Sequence, residues 1–273
     1  MTYSQALKIS KEHLLPQISE LYGLSDWEIE PINPHDGCRN LVHTCVKDNG
    51  VPKIIRISFL KDRNSDDFLA ECEYVRYLAE NGGNVSNVVS SCNGSLVEEI
   101  VFDDHTFYVC VFKKAKGKQL AENGYKYRDG ADISEYFYNC GKVLGKLHHL
   151  SKSYIPNYRR YSFSDKFNAE YLDGLLTDSL SLLKEKLFAL LKGMEGLGKG
   201  KDAYGMIHFD YSDGNYHIDF ETGQITVYDF DNCCFGWYIY DLANLWTHGT
   251  DRIQAYSRLA GKQNANNKIY IRW

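Results

Sequence analysis

The chain has 273 residues, with 31 Lys and Arg scattered against 36 Asp and Glu for a formal net charge of −5, so it lacks the basic stripe that tracks a nucleic-acid backbone. The N-terminus is charged and carries no signal-peptide apolar core, and no apolar run is long enough to cross a bilayer. Eight Cys without metal-type or CxxC spacing read as reduced thiols, which predicts a cytoplasmic enzyme with neither nucleic-acid nor membrane partners. The length suits two lobes around a cleft.

Residues 3 to 22 predict a leading helix bent near Pro16, and residues 27 to 32 a strand. The loop His35-Asp36-Gly37-Cys38-Arg39-Asn40 then opens onto a hairpin of residues 41 to 46 and 53 to 58, turned at residues 47 to 51. A nucleotide-covering loop belongs at that mouth. Phe68, Cys72, Val75, Leu78 and Ala79 stand at helical spacing across residues 67 to 81, and Gly82-Gly83 ends the run; this helix carries Glu71 and Glu73. Strands are predicted at residues 85 to 90, 95 to 101 and 106 to 112, followed by an exposed connector at residues 113 to 118. A lobe boundary near Phe112 divides the chain into residues 1–112 and 113–273. Beyond it, residues 133 to 150 and 172 to 192 read as two long amphipathic helices.

The chemistry concentrates late in the chain. His208, Asp210 and Asn215 form a His-x-Asp-x-x-x-x-Asn pattern, a short hairpin turned at Glu221-Thr222-Gly223 follows, and Asp229-Phe230-Asp231 closes the series. A kinase needs one carboxylate beside the acceptor hydroxyl, and an Asn and a second carboxylate on Mg2+ bound to the nucleotide phosphates. Asp210, Asn215 and Asp229 match those three tasks.

The segments HFDYSDGN (208–215) and VYDFDN (227–232) occur together with AECEYVRYLAENGG (70–83), CGKVLGKLHHLS (140–151) and GWYIYDLANLW (236–246). In this order the chain resembles the aminoglycoside phosphotransferase and choline kinase superfamily, whose members share the protein-kinase fold. The resemblance implies an α+β, two-lobed architecture with a small β-rich N-lobe and a larger helical C-lobe. It makes Asp210 the general base, Asn215 and Asp229 the Mg2+ ligands, Asp231 an extra ligand or water holder, and ATP or GTP the donor. His208 is expected to orient the loop. Asp241 is structural in that comparison, and its own context reads as a helix N-cap.

In the small lobe the resemblance calls for a cation on the third strand paired with a Glu on the next helix, which selects Arg56 and Glu71. Arg departs from the more usual Lys; Lys53 falls on the opposite strand face. Gly37 and Asn40 stand in the nucleotide loop, although a single Gly also suits an ordinary hairpin turn. Val111, within residues 109 to 112, marks the adenine-side linker.

Ser212 replaces the Lys found two residues after the base in protein Ser/Thr kinases, which favours a small hydroxylated acceptor of aminoglycoside, choline or hydroxy-amino-acid type. A pseudokinase and a bacterial protein kinase of the same fold remain open. Trp237, Tyr238, Tyr240 and Trp246 read as core packing, with an amine-binding cage as the alternative. Residues 250 to 273 do not resemble the superfamily and read as a truncated acceptor region. The oligomeric state is not encoded in any motif.

Overall fold

The computed structural model describes residues 1–33, 39–176 and 178–245. Gly37, Trp246 and the region from 250 onward lie outside the described residues.

The leading helix forms in three pieces. Helix α1 (Tyr3–Ile9) starts from a Thr2 capping box with Gln5, a π-turn spans Ser10–Leu14, and α2 (Leu15–Leu21) follows with Pro16 in its first turn. A proline there removes an N–H that a new helix start leaves unpaired anyway, so the predicted bend takes the form of a local change of helix register.

Strands β1 (Glu28–Pro31), β2 (Asn40–Val46), β3 (Lys53–Ser58), β4 (Val88–Val89), β5 (Glu98–Phe102) and β6 (His105–Lys113) form one antiparallel sheet. Its order is β1-β2-β3-β6-β4, with β5 also on β6. Helix α3 (Ser65–Glu80) is inserted after β3 and begins at an Asn64 capping box with Asp67. Strand parity divides the sheet's contacts. Leu41, Ile55, Ile57, Val109 and Val111 pack with Ala6, Leu14 and Ile18 of the leading helix. Cys110 and Val88 pack on the other face with Phe68 and Cys72 of α3. Arg56 stands opposite Cys110 in the register and shares the α3 side.

Helix α4 (Ile133–Ser151) supplies the next core layer. Its Tyr136, Cys140, Leu144 and Leu147 meet Tyr74 and Leu78 of α3 and the apolar residues of two short sheets. These are β7 (Tyr204–Ile207) with β10 (Cys234–Trp237), and β8 (Tyr216–Ile218) with β9 (Ile225–Val227). One continuous core therefore connects α3 to the segment carrying the catalytic motif. A last helix, α8 (238–245), follows β10 directly.

Two expectations change. Only Val88 and Val89 of the strand at 85 to 90 join the large sheet; Val85 instead bridges to Val227, and Ser86 N–H donates to the Val227 carbonyl. The helix expected at 172 to 192 is broken into α6 (Ala169–Leu175) and α7 (Ser181–Glu195), preceded by α5 (Phe163–Lys166). Leu176 is extended and ends α6, an event that a run of helical apolar spacing does not reveal. The connector 113–118 is exposed as expected except at Ala115, and it is tied down, because Lys118 exchanges backbone hydrogen bonds with Ile218 and Lys114 N–H donates to the Pro52 carbonyl. Among the described residues no helix is long and apolar enough to cross a membrane, and none of the seven described cysteines forms a disulfide.

Candidate active site

Strand β3 and helix α3 place Arg56 and Glu71 side by side in the interior. Arg56 donates from Nη1 and Nη2 to the two Glu71 oxygens at 2.7 Å each, with the carboxylate fully buried. A fork-to-fork contact of this kind is directional as well as strong. Arg56 Nη1 also lies 3.9 Å from Asp229 Oδ1, so the pair reaches from the sheet to the metal-type loop. Lys53 sits on the opposite face with its ammonium 3.2 Å from the Trp27 ring centroid, which excludes it as the partner of Glu71.

The catalytic loop leaves β7 through Phe209, whose φ of +73° is left-handed. A single buried carboxylate holds this turn. Asp241 accepts the backbone N–H of His208 at 2.9 Å and of Phe209 at 2.8 Å, and takes a third bond from His148 Nε2 at 3.0 Å. Asn244 Nδ2 adds a 2.7 Å bond to the Phe209 carbonyl. Asp241 is thus a loop clamp inside α8 and not the helix N-cap that its local sequence suggests. His208 Nε2 donates to the Tyr228 carbonyl at 3.0 Å and its Nδ1 accepts the Asp210 N–H at 3.3 Å. Both ring nitrogens are committed to backbone, which fits orientation and not proton transfer.

Asp210 is half-buried, and its carboxylate receives no hydrogen bond from the described residues, which leaves it open to accept one from a bound hydroxyl. Asn215 Nδ2 donates to the Asp210 carbonyl at 2.8 Å, and its Oδ1 remains an available oxygen donor. Asp229 is held at φ +62°, a strained left-handed conformation for a residue with a Cβ. Its side chain keeps 49% of its surface open. Desolvation by the surrounding protein, then the charges of Asp231, Glu71 and Asp210, push its carboxyl up to about 7 against the pull of Arg56.

Crowded hard oxygens fit a divalent cation, and the Asp229 carboxylate with the Asn215 amide oxygen would hold it. No cluster of three or more His, Cys, Asp or Glu able to cage a metal occurs among the described residues.

Asp231 is held by residues from other elements. Arg63 pairs with it at 3.0 and 3.3 Å and Asn40 Nδ2 donates at 3.2 Å, so its oxygens are engaged by the protein. Burial raises its carboxyl, but Arg63 and Arg56 overcome this and hold it at about 2. It is buried, not a solvated turn residue. Asn40 also accepts Ser58 Oγ at 2.6 Å, so both amide atoms anchor the end of the nucleotide loop to the metal loop. Val111 lies in mid-β6, fully buried in the core with Ile55 and Ile57, and its side chain does not face the cleft. Its neighbour Phe112, on the opposite face, stands 5.2 Å from Arg56. Trp237 and Tyr238 are buried in packing, and Tyr240 stacks on Phe209 at 4.7 Å.

Sequence reasoning missed Arg63 and Arg160. Arg160 donates to the carbonyls of Cys233, Asp67 and Asp231, tying the loop after α4 to the metal loop. No local signal marks either residue, since their partners are remote in the chain.

A six-stranded sheet with a buried Arg–Glu fork, a clamped His-x-Asp loop and a strained Asp after a hairpin define an α+β phosphotransferase of the protein-kinase-like fold. The model of the phosphotransferase enzyme family matches residues 32–267, and the chain belongs to that family. Amicoumacin kinase of Bacillus subtilis (strain 168) is 28% identical over 239 residues, covering 86% of this chain and 67% of the relative. An amicoumacin kinase solved with AMP-PNP, Ca2+ and Ami superposes with a TM-score of 0.76 at 24% identity, covering 90% of this chain and 72% of that one. A microcompartment-associated aminopropanol kinase gives a TM-score of 0.69 at 22% identity, over 90% and 77% of the two chains. The chain is an ATP-dependent small-molecule phosphotransferase.

Proposed function

We propose that the enzyme transfers the γ-phosphoryl group of ATP in line to a hydroxyl of a small molecule in the cytoplasm, with residues 1–112 holding the nucleotide and 113–273 the acceptor. Asp210 accepts the hydroxyl proton. Asn215 and Asp229 hold Mg2+, which neutralises charge on the phosphate oxygens. Arg56, oriented by Glu71, grips the α- and β-phosphates, with Gly37 and Asn40 as the nucleotide-loop residues. His208 positions Asp210 through the backbone, and Asp231 acts through Arg63 and Asn40.

The observation that carries this reading is the Arg56–Glu71 fork with Arg56 Nη1 3.9 Å from Asp229, which joins the phosphate cation to the metal carboxylate. In a loose transition state, positioning and charge neutralisation supply most of the rate. The test is thermal stability with Mg2+ and ATP, then turnover on an acceptor panel. Wild type should gain stability only with metal and nucleotide together, and Asp229→Asn should abolish the gain. Asp210→Asn should retain it and lose roughly 10²- to 10⁴-fold in turnover. Wild-type turnover by Asp210→Asn would exclude the assigned base.

A further inference from the structure

Helix α5 lies against β10, with Ser162 bridged to Phe235, and places Phe163 among the rings of Phe209, Trp237 and Tyr240 at 6.2, 5.9 and 5.2 Å. Its last residue, Lys166, reaches both the catalytic loop and the segment after the metal-type loop. The ammonium stands 4.1 Å from the ring centroid of Phe209, the residue before Asp210, and donates to Asn232 Oδ1 at 3.0 Å, three residues after Asp229.

No carboxylate among the described residues pairs with this ammonium. Asp165 next to it is turned back onto Ser162, and Asp231 is taken by Arg63. Arg160 nearby is likewise satisfied by carbonyls and the Tyr161 hydroxyl and by no carboxylate. Burial, and then the charges of Arg63 and Arg160, bring Lys166 below the ordinary lysine range, as expected where positive charge is in excess. The stacked pair Phe209 and Tyr240 would be the natural platform for an acceptor's protonated amine, but the chain's own cation already covers the Phe209 ring.

We propose that Lys166 is a specificity-determining residue: its ammonium selects an acceptor bearing an anionic group beside the reactive hydroxyl and disfavours one bearing a protonated amine there. The inference rests on Asp210 being the base that receives the acceptor hydroxyl, and it adds a charge rule that the family resemblance does not contain.

The test compares acceptors of one skeleton and three charges at two sizes: glycerate, glycerol and 3-amino-1,2-propanediol, and gluconate, sorbitol and glucamine. Product formation with Mg2+ and ATP, and stabilisation in the presence of Mg2+ and AMP-PNP, are measured for wild type, Lys166→Met and Lys166→Glu. Wild type should favour the anion over the amine about tenfold or more on at least one skeleton. Lys166→Met, which keeps the apolar stem against Tyr161 and Phe209, should erase the preference, and Lys166→Glu should invert it. A preference unchanged by either variant, a wild-type preference for the amines, or no discrimination by charge on either skeleton overturns the proposal. Failure of wild type to gain metal-dependent stability with ATP falls instead on the underlying kinase reading.

Discussion

Asp241 illustrates how much one side chain can decide. Its carboxylate collects two backbone N–H groups and a histidine in a fully buried position, so the turn that presents Asp210 depends on a residue 31 positions downstream that touches no substrate in the proposed mechanism. Asp241→Asn keeps one acceptor oxygen and places an amide where a second N–H must be received. The substitution should cost about 1–3 kcal/mol of stability, because a buried donor loses its partner. It should also lower kcat at least roughly tenfold with the KM for ATP little changed, since the damage is to positioning. Urea unfolding and steady-state kinetics check both, and an unaltered kcat would show that the clamp is dispensable. At the same scale, the Arg56–Glu71 fork was legible through the family resemblance, with strand parity setting Lys53 aside, whereas the Asp231–Arg63 pair was not. A DFD sequence says that two carboxylates share a turn, but not which of them meets an arginine from another element.

At the scale of elements, helical period and strand alternation located α3, α4 and the sheet to within a few residues. They failed at the broken helices from 163 to 195, and they gave no sign of the backbone contacts that tie the exposed connector 113–118 to β8. Gly117 is the sharpest case. It sits at φ +90°, and a Cβ built there would lie 1.9 Å from the Ile218 carbonyl oxygen. Gly117→Ala must therefore separate the connector from β8, with an expected loss on the order of 3 kcal/mol or more. Gly130 has φ +75° with nothing within 4 Å, so Gly130→Ala carries only the conformational penalty, about 1 kcal/mol. Thermal unfolding of the two variants separates close approach from backbone preference; equal losses would rule out the contact as the cause.

The stability of the whole molecule should carry the imprint of His43. This residue is fully buried on β2 with both ring nitrogens unpartnered, and burial lowers its pKa to about 4. An unfolded chain protonates the same ring near the ordinary value of about 6.5. Between those two values the unfolded state binds more protons, so stability falls as pH drops, at up to about 1.4 kcal/mol per pH unit. Asp229 works in the opposite sense, because its raised pKa lets the folded state keep a proton that the unfolded chain has already lost. His43→Leu isolates the histidine contribution. Denaturant unfolding at pH 7 and pH 5 should show a smaller loss for the variant than for wild type, by about 1–2 kcal/mol. Parallel pH profiles would mean that His43 finds a proton partner when charged.

The sequence by itself determined the α+β pattern, the order of most elements and the positions of Asp210, Asn215 and Asp229, for which the phosphoryl-transfer roles are proposed, because each is written in short-range spacing: period 3.6 for helices, period 2 for strands, fixed offsets within one loop. Only the tertiary structure decided that Asp241 clamps the catalytic loop, that Asp231 belongs to Arg63 and Asn40, that Val111 faces the core, and that Lys166 covers Phe209. Those pairings join residues as far as 191 positions apart, and their geometry arises from how helices pack on sheets. A linear pattern specifies which face of an element is apolar, but the partner that meets a buried charge is chosen only when the faces come together.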